Sequence, residues 1–297
     1  MRVIRSKVLG FCMGVRRAVA AAVAEASSET DGSGRVYTLG PLIHNPRVLA
    51  DLESRGIYPA PETLTAVNLD DCSLIIRAHG IDPRFEEDLR NRVGRNSQRS
   101  FPRIVDATCP KVKASQLKAK ELAEKGCMLF LAGEAKHAEV AGILGYAALH
   151  GKTVCTVVSN SAEAQAAAKK LYETGEDAKT ALLAQTTFSE EEYKTIGNAI
   201  KKYFPDLEIV DTICAATHDR QEALRELLEQ VDAVIIAGGK DSANTRRLFA
   251  IAQGSGKPCA LVETAAEVPP SFRDFEIVGL CAGASTPDSV IEEIEKF

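Results

Sequence analysis

No run of about 18 consecutive apolar residues occurs anywhere in the 297-residue chain, so no segment reads as a membrane-crossing helix. Blocks of lysine and arginine are lacking too. With a net charge of -5, that lack argues against nucleic acid or an anionic membrane as the main partner. No Cys-x-x-Cys is present, which removes the usual zinc spacing and the thioredoxin motif. Neither G-x-x-x-x-G-K-[ST] nor a G-x-G-x-x-G after a strand is found, so ATP and NAD sites have no support. Arg2 and Arg5 before VLGFCMGV imitate a secretory leader, but Arg16 and Arg17 interrupt the apolar run. The expectation is a cytoplasmic protein whose cysteines are thiols or metal ligands rather than disulfides.

What is present is the balance of a globular protein, 45% hydrophobic and 26% charged residues. Three segments begin alike: KVLGFC ends at Cys12, RIVDATC at Cys109 and EIVDTIC at Cys214. Each is followed by a stretch rich in Ala, Leu, Glu, Lys and Arg, which are good helix formers. Each cysteine therefore stands where a strand hands over to a helix. After each helix comes a short apolar strand and a glycine-bearing polar loop: VYTLGPLIHN, MLFLAGEAKHAE and AVIIAGGKDSAN. Later strands end in LIIRAHG, ALLAQTT and IVGLCAGAS.

The pattern predicts an α/β protein of three pseudo-threefold-related units with parallel sheets. Their expected bounds are 1–109, 110–210 and 211–297, with loops such as Arg90 to Ser100 as linkers or excursions. Ligands of such sheets collect beyond the carboxyl ends of the strands. The three cysteines and six polar tips all fall there, and three inward-facing units would pool them around one site.

Cys72, Cys127, Cys155, Cys259 and Cys281 lie in or beside apolar runs and read as core residues. Cys12, Cys109 and Cys214 occupy equivalent positions, each beside a helix amino end that favours the thiolate which binds metal. Three thiolates suit either a four-iron cluster with one open iron or a zinc site with a fourth ligand. His44, His79 and His137 stand at tips, with Thr186, Ser242, Asn244 and Ser285, whereas His150 and His218 do not. Such neutral donors and exposed backbone N–H groups suit phosphate or diphosphate. Glu139, two residues after His137, is a candidate general acid if burial raises its pKa; otherwise it is a surface residue opening a helix.

Taken together, FCMGVRRA, GPLIHNP, IRAHG, DATCP, HAEVAG, AQTT, DTICAAT and AGAS resemble the 4-hydroxy-3-methylbut-2-enyl diphosphate reductases of the non-mevalonate isoprenoid route, nearly end to end. The resemblance implies one central [4Fe–4S] cluster with three cysteine ligands, Cys12, Cys109 and Cys214, and one open iron facing the substrate hydroxyl. It implies that His44, His79, His137, Thr186, Ser242, Asn244 and Ser285 bind the diphosphate substrate and that Glu139 supplies protons. The implied products are isopentenyl and dimethylallyl diphosphate, and the implied electron donor is a ferredoxin or flavodoxin.

Two departures stand out. Ala243 replaces the middle serine of a usual Ser-Ser-Asn, and Ala138 stands where proline is expected, which would loosen the tip carrying Glu139. Two other readings fit parts of the pattern. A hydro-lyase would remove the hydroxyl without net reduction, and a phosphate-ligand sensor would hold structural zinc at the three cysteines.

Overall fold

The computed structural model describes residues 1–28, 35–60, 72–96, 103–150, 154–175 and 179–297. In chain order the first elements are β1 (Arg2–Arg5), α1 (Met13–Ser28), β2 (Arg35–Thr38), α2 (Pro46–Ser54), β3 (Ile57–Pro59), β4 (Cys72–Ile76), α3 (Pro83–Asn96) and β5 (Arg103–Asp106). The middle of the chain forms α4 (Pro110–Glu124), β6 (Met128–Ala132), α5 (Ala138–Ala147), β7 (Cys155–Val158), α6 (Ser161–Glu173), β8 (Thr180–Ala184), α7 (Glu190–Lys201) and β9 (Glu208–Ile209). It ends with α8 (Ala215–Leu228), β10 (Ala233–Ala237), α9 (Ala243–Gly254), β11 (Cys259–Val262), β12 (Ile277–Ala282) and α10 (Asp288–Glu295).

These strands make three four-stranded sheets, with orders β3-β2-β4-β5, β7-β6-β8-β9 and β11-β10-β12-β1. The order is the same each time. A first strand sits between the second and the third, and the strand that leads to a cysteine closes one edge. In the third sheet that closing strand is β1, which pairs in parallel with β12 from Arg2 opposite Ile277 to Arg5 opposite Leu280. The strand before Cys12 therefore belongs with the sheet of the 211–297 segment rather than with the other strands of 1–109. Period-2 patterning places a strand on a sheet face but does not say which sheet it joins.

By contacts the chain divides into two compact units. One contains Met1–Val67, Ser73–Ile75 and Ala215–Phe297, and the other Asn68–Cys72 and Ile76–Cys214. In the second unit β6 and β8 are apolar along nearly their whole length because both faces are covered. Phe130, Ala132, Leu182 and Ala184 pack with residues of α6 and α7, whereas Leu129, Leu131, Ala181 and Leu183 pack with α4 and α5. The first unit repeats the arrangement. Ile235, Leu280 and Ala282 face one core with Ile291 and Ile294 of α10, while Val234, Ile236 and Cys281 face another with Leu224 and Leu227 of α8.

Helix starts follow local chemistry. Asn160 accepts from the Glu163 N–H at 2.9 Å, which satisfies one of the amide donors that open α6, while the Glu163 carboxylate accepts from the N–H of Ser159, just before the cap, at 2.8 Å. Asn45 caps α2 ahead of Pro46, and three glutamates fill the first turn of α7. The loop expected over Arg90 to Ser100 is helix as far as Asn96, and 97–100 lie outside the described residues. The reason is local: Asp82 accepts from the Arg84 N–H at 2.9 Å at the start of α3, and Glu86 and Arg90 pair one turn apart at 2.7 Å. Among the described residues no helix is long and apolar enough to cross a membrane.

Candidate functional site

Each cysteine strand is tied to its neighbour by the same main-chain hydrogen bond. The Cys12 N–H donates to the Ala284 carbonyl at 3.0 Å, that of Cys109 to Ala78 at 2.9 Å, and that of Cys214 to Thr186 at 2.9 Å. Each acceptor is the second residue of a turn closed from Gly283 to Thr286, from Arg77 to Gly80 or from Gln185 to Phe188. Helix begins at the next residue after each cysteine. Cys109 stands at the N-cap of α4 without a side-chain cap bond, and the Val15 N–H approaches the Cys12 Sγ at 3.5 Å. All three are half-buried thiols outside any disulfide. Among the other five, Cys72, Cys127 and Cys281 are buried, and burial pushes the Cys281 thiol up to about 11.

The matched turns also align the tips. Ser285 and His79 occupy the third position of their turns, and the corresponding residue of the third turn is Thr187. The sequence pattern singled out Thr186 there, one residue earlier. Both donors of Thr186 are engaged with Glu139. Its N–H donates to Oε1 at 2.6 Å and its hydroxyl to Oε2 at 3.0 Å. Gln185 is a residue that the pattern missed. Buried, it accepts from the Glu134 N–H at 3.0 Å and donates to the Thr187 hydroxyl at 3.1 Å, joining the tips of β6 and β8. Two adjacent threonines and a glutamine carry no pattern that separates these roles; only the register of the turn does.

Glu139 is only 1% exposed, so it is not a surface residue. Burial pushes its carboxyl up to about 7, against the opposing pull of the two bonds from Thr186. His137 caps α5, its Nδ1 accepting from the Glu139 N–H at 3.2 Å. When the imidazole is neutral this leaves the proton on Nε2. The His79 and His137 rings stand edge to face with centroids 5.2 Å apart. Ala138 takes the first helical position of α5, and Glu139 is located by Thr186 rather than by the residue before it.

In the first unit Ser242 caps α9 by accepting from the Thr245 N–H at 3.4 Å. Ala243 and Asn244 are buried in the same turn, and the Asn244 amide nitrogen has no hydrogen-bond partner. A buried amide without a partner is uncommon and suits an anionic ligand. The Ser285 hydroxyl donates to the His44 carbonyl at 3.3 Å. A Cβ on Gly239 would run into that same carbonyl oxygen, so the loop after β10 requires glycine where it passes the His44 segment. The structure thus brings His44, Ser285 and the β10 loop together in one unit, and His79, His137, Glu139 and Thr186 together in the other.

Three parallel sheets of one strand order, each closed by a strand leading to a cysteine at a helix start, define a triplicated α/β protein with thiols at matched junctions. The chain belongs to the LytB protein family, which matches residues 3–297. A 4-hydroxy-3-methylbut-2-enyl diphosphate reductase from Treponema denticola is 42% identical over 100% of this chain and 98% of its own. The one from Aquifex aeolicus is 38% identical over 99% of this chain and 94% of its own. A solved structure of (E)-4-hydroxy-3-methyl-but-2-enyl diphosphate reductase, described as the terminal enzyme of the non-mevalonate pathway, superposes with a TM-score of 0.69 at 37% identity, covering 100% of this chain and 98% of that one. The Plasmodium falciparum E-1-hydroxy-2-methyl-but-2-enyl-4-diphosphate reductase gives a TM-score of 0.84 at 26% identity, covering 99% and 87%.

Proposed function

We propose that this protein reduces 4-hydroxy-3-methylbut-2-enyl diphosphate to isopentenyl and dimethylallyl diphosphate, the last step of the non-mevalonate isoprenoid route. The observation that carries the reading is the repeated main-chain tie of Cys12, Cys109 and Cys214 to a neighbouring strand tip, which holds three cysteines outside any disulfide at matched places in three sheets. That donor set fits one [4Fe–4S] cluster with three cysteine ligands and one open iron, because thiolates are the usual ligands of such clusters. When bound, the cluster supplies Lewis acidity and single-electron transfer. The electrons come from a small redox protein of the ferredoxin or flavodoxin type. Two electrons and two protons convert the allylic alcohol into the alkene and water.

The residues of the chain hold the substrate and move the proton. Ser242, Asn244, Ser285, His79 and His137 are assigned as neutral donors to the diphosphate, with His44 as a further donor. This binding energy, remote from the C–O bond that breaks, positions the reacting end. Glu139 holds a proton near neutrality in a dry site, which suits a general acid. Thr186 fixes both carboxyl oxygens, so the proton is delivered from one place. Thr187, at the turn position of His79 and Ser285, joins the binding set.

The test is anaerobic oxidation of reduced methyl viologen by protein shown to contain iron and sulfide, with and without the substrate. Substrate-dependent oxidation with both products is expected. Cluster-loaded protein that converts the substrate to a dehydrated diene diphosphate without consuming viologen would point to the hydro-lyase. Protein that binds zinc without iron and sulfide would point to the sensor.

A further inference from the structure

Arg220, on α8, is 3% exposed. Its Nη1 donates to the Ala216 carbonyl and its Nη2 to the Gly10 carbonyl, each at 2.7 Å. Its Nε has no hydrogen-bond partner, and among the described residues no carboxylate pairs with it. Both acceptors lie two residues from a proposed cluster ligand in the chain. Gly10, at φ +77°, makes the turn into Cys12, and Ala216 is in the first turn of the helix after Cys214. The guanidinium reaches back along α8 toward its amino end, the direction in which helical side chains lean.

The fold does not demand a cation here. At the same step into the helix after its cysteine, α1 has Ala18 and α4 has Ser115, and both are as buried as Arg220. At that position those two copies pack a small uncharged side chain. A guanidinium taken out of water without an anion is costly, by several kcal/mol in real proteins, and two carbonyl acceptors do not neutralise it. An anion that the chain itself does not supply would do so.

We infer that Arg220 is a positioning residue that acts on the cluster through its charge: it is the fixed countercation of the thiolate-bound cluster and makes addition of an electron more favourable. The inference rests on the cluster assignment proposed above. Each added electron makes the cluster more anionic, so a buried cation beside the turns carrying Cys12 and Cys214 favours the reduced state. Net charge near a cluster is one of the determinants of its potential.

The test compares Arg220→Lys, Arg220→Gln and Arg220→Met with the unaltered protein after anaerobic cluster loading. Reduction by a mediated one-electron titrant is followed by the paramagnetic signal of the reduced cluster, and kcat and KM are measured beside it. Gln and Met should shift the reduction equilibrium at least tenfold toward the oxidised form, about 59 mV more negative for one electron. Lys should stay near the starting potential, and kcat should fall while KM holds. Folded Gln and Met variants that fail to load while Lys loads would also support the countercation. Loaded neutral variants with unmoved potential, or a Lys variant that falls as far as Met, would overturn it. Failure of both neutral variants to fold would make the residue structural and overturn it too. Unaltered protein that takes up no iron and sulfide would instead overturn the cluster reading itself.

Discussion

Replacing Glu139 by Gln removes a titration while keeping a shape. The amide oxygen can still accept from the Thr186 N–H, and the amide nitrogen can donate to the Thr186 hydroxyl, the two contacts that now stand at 2.6 and 3.0 Å. What disappears is the proton. In the folded protein burial holds the carboxyl at about 7, against an ordinary value of 4.5. Between those values the folded state binds more protons than the unfolded one, so the contribution of this group to stability falls as pH rises. It is fully present below 4.5 and lost as pH passes through about 7. The shift corresponds to about 3 kcal/mol when ionisation is complete. Denaturant unfolding of the cluster-free protein, run anaerobically at about pH 5 and about pH 8, should therefore show the Gln variant gaining on wild type by most of that amount. Turnover of the loaded variant should fall by about 10²–10⁴, the usual contribution of general acid catalysis. The wild-type rate should decline as pH rises through neutrality, and the residual rate of the variant should not. Parallel stability curves for the two proteins, or wild-type turnover in the variant, would refute the role given to Glu139.

Ala138→Pro should be accepted, because the first helical position of α5 suits proline; a gain of about 0.4–1 kcal/mol in denaturant unfolding is expected, and a loss would show that α5 does not start there in solution. Ala243→Ser restores a hydroxyl beside Asn244 in the first turn of α9. A bond to a charged ligand is worth roughly 1.5–3 kcal/mol, so KM for the diphosphate should fall about tenfold or more with kcat unchanged, and an unmoved KM would place residue 243 outside the site. Gly239→Ala drives a methyl against the His44 carbonyl, with an expected destabilisation of about 1–3 kcal/mol and a raised KM. Replacing Cys12, Cys109 or Cys214 by Ser should lower iron and sulfide content, whereas Cys281→Ser, deep in the core, should lower stability and leave the content per folded protein unchanged.

The phrases VDATC and VDTIC were enough to read the repeat, since a strand running into a cysteine and then a helix recurs in all three sheets with one strand order. The pairing of β1 with β12 was not readable, because alternation says which face of a strand is buried and nothing about a partner that lies at the other end of the chain. Arg90–Asn96 read as part of a loop, yet it continues a helix whose start is capped by Asp82 and which carries a Glu86–Arg90 ion pair one turn apart. The cysteines and the His tips were visible as residue types in repeated places. Thr187 was visible beside Thr186 at the end of ALLAQTT, but Gln185 was not, because its hydrogen bonds follow from a turn register. Nor was Arg220, because a charged helical residue in a Glu- and Arg-rich stretch normally faces water.

Triplication supplies the main chain three times and the chemistry once. The N–H of each cysteine meets its acceptor at 2.9 or 3.0 Å, so the main chain at the three cysteines is held in the same way. Side chains at matched places diverge. Two residues past the helix caps of α5, α9 and α2 stand Glu139, Asn244 and Arg47: a buried acid, a buried amide, and an exposed cation paired with Glu293 at 2.6 Å. At the third position of the turns stand His79, Thr187 and Ser285. Reductive removal of a hydroxyl is directional, since the proton must arrive on one side and the diphosphate must be gripped on another. A strictly threefold set of side chains would present the acid three times and leave too few donors for the anion. The divergence at Glu139 and Asn244, set on a main chain that does not diverge, is what such a directional reaction requires of a repeated scaffold.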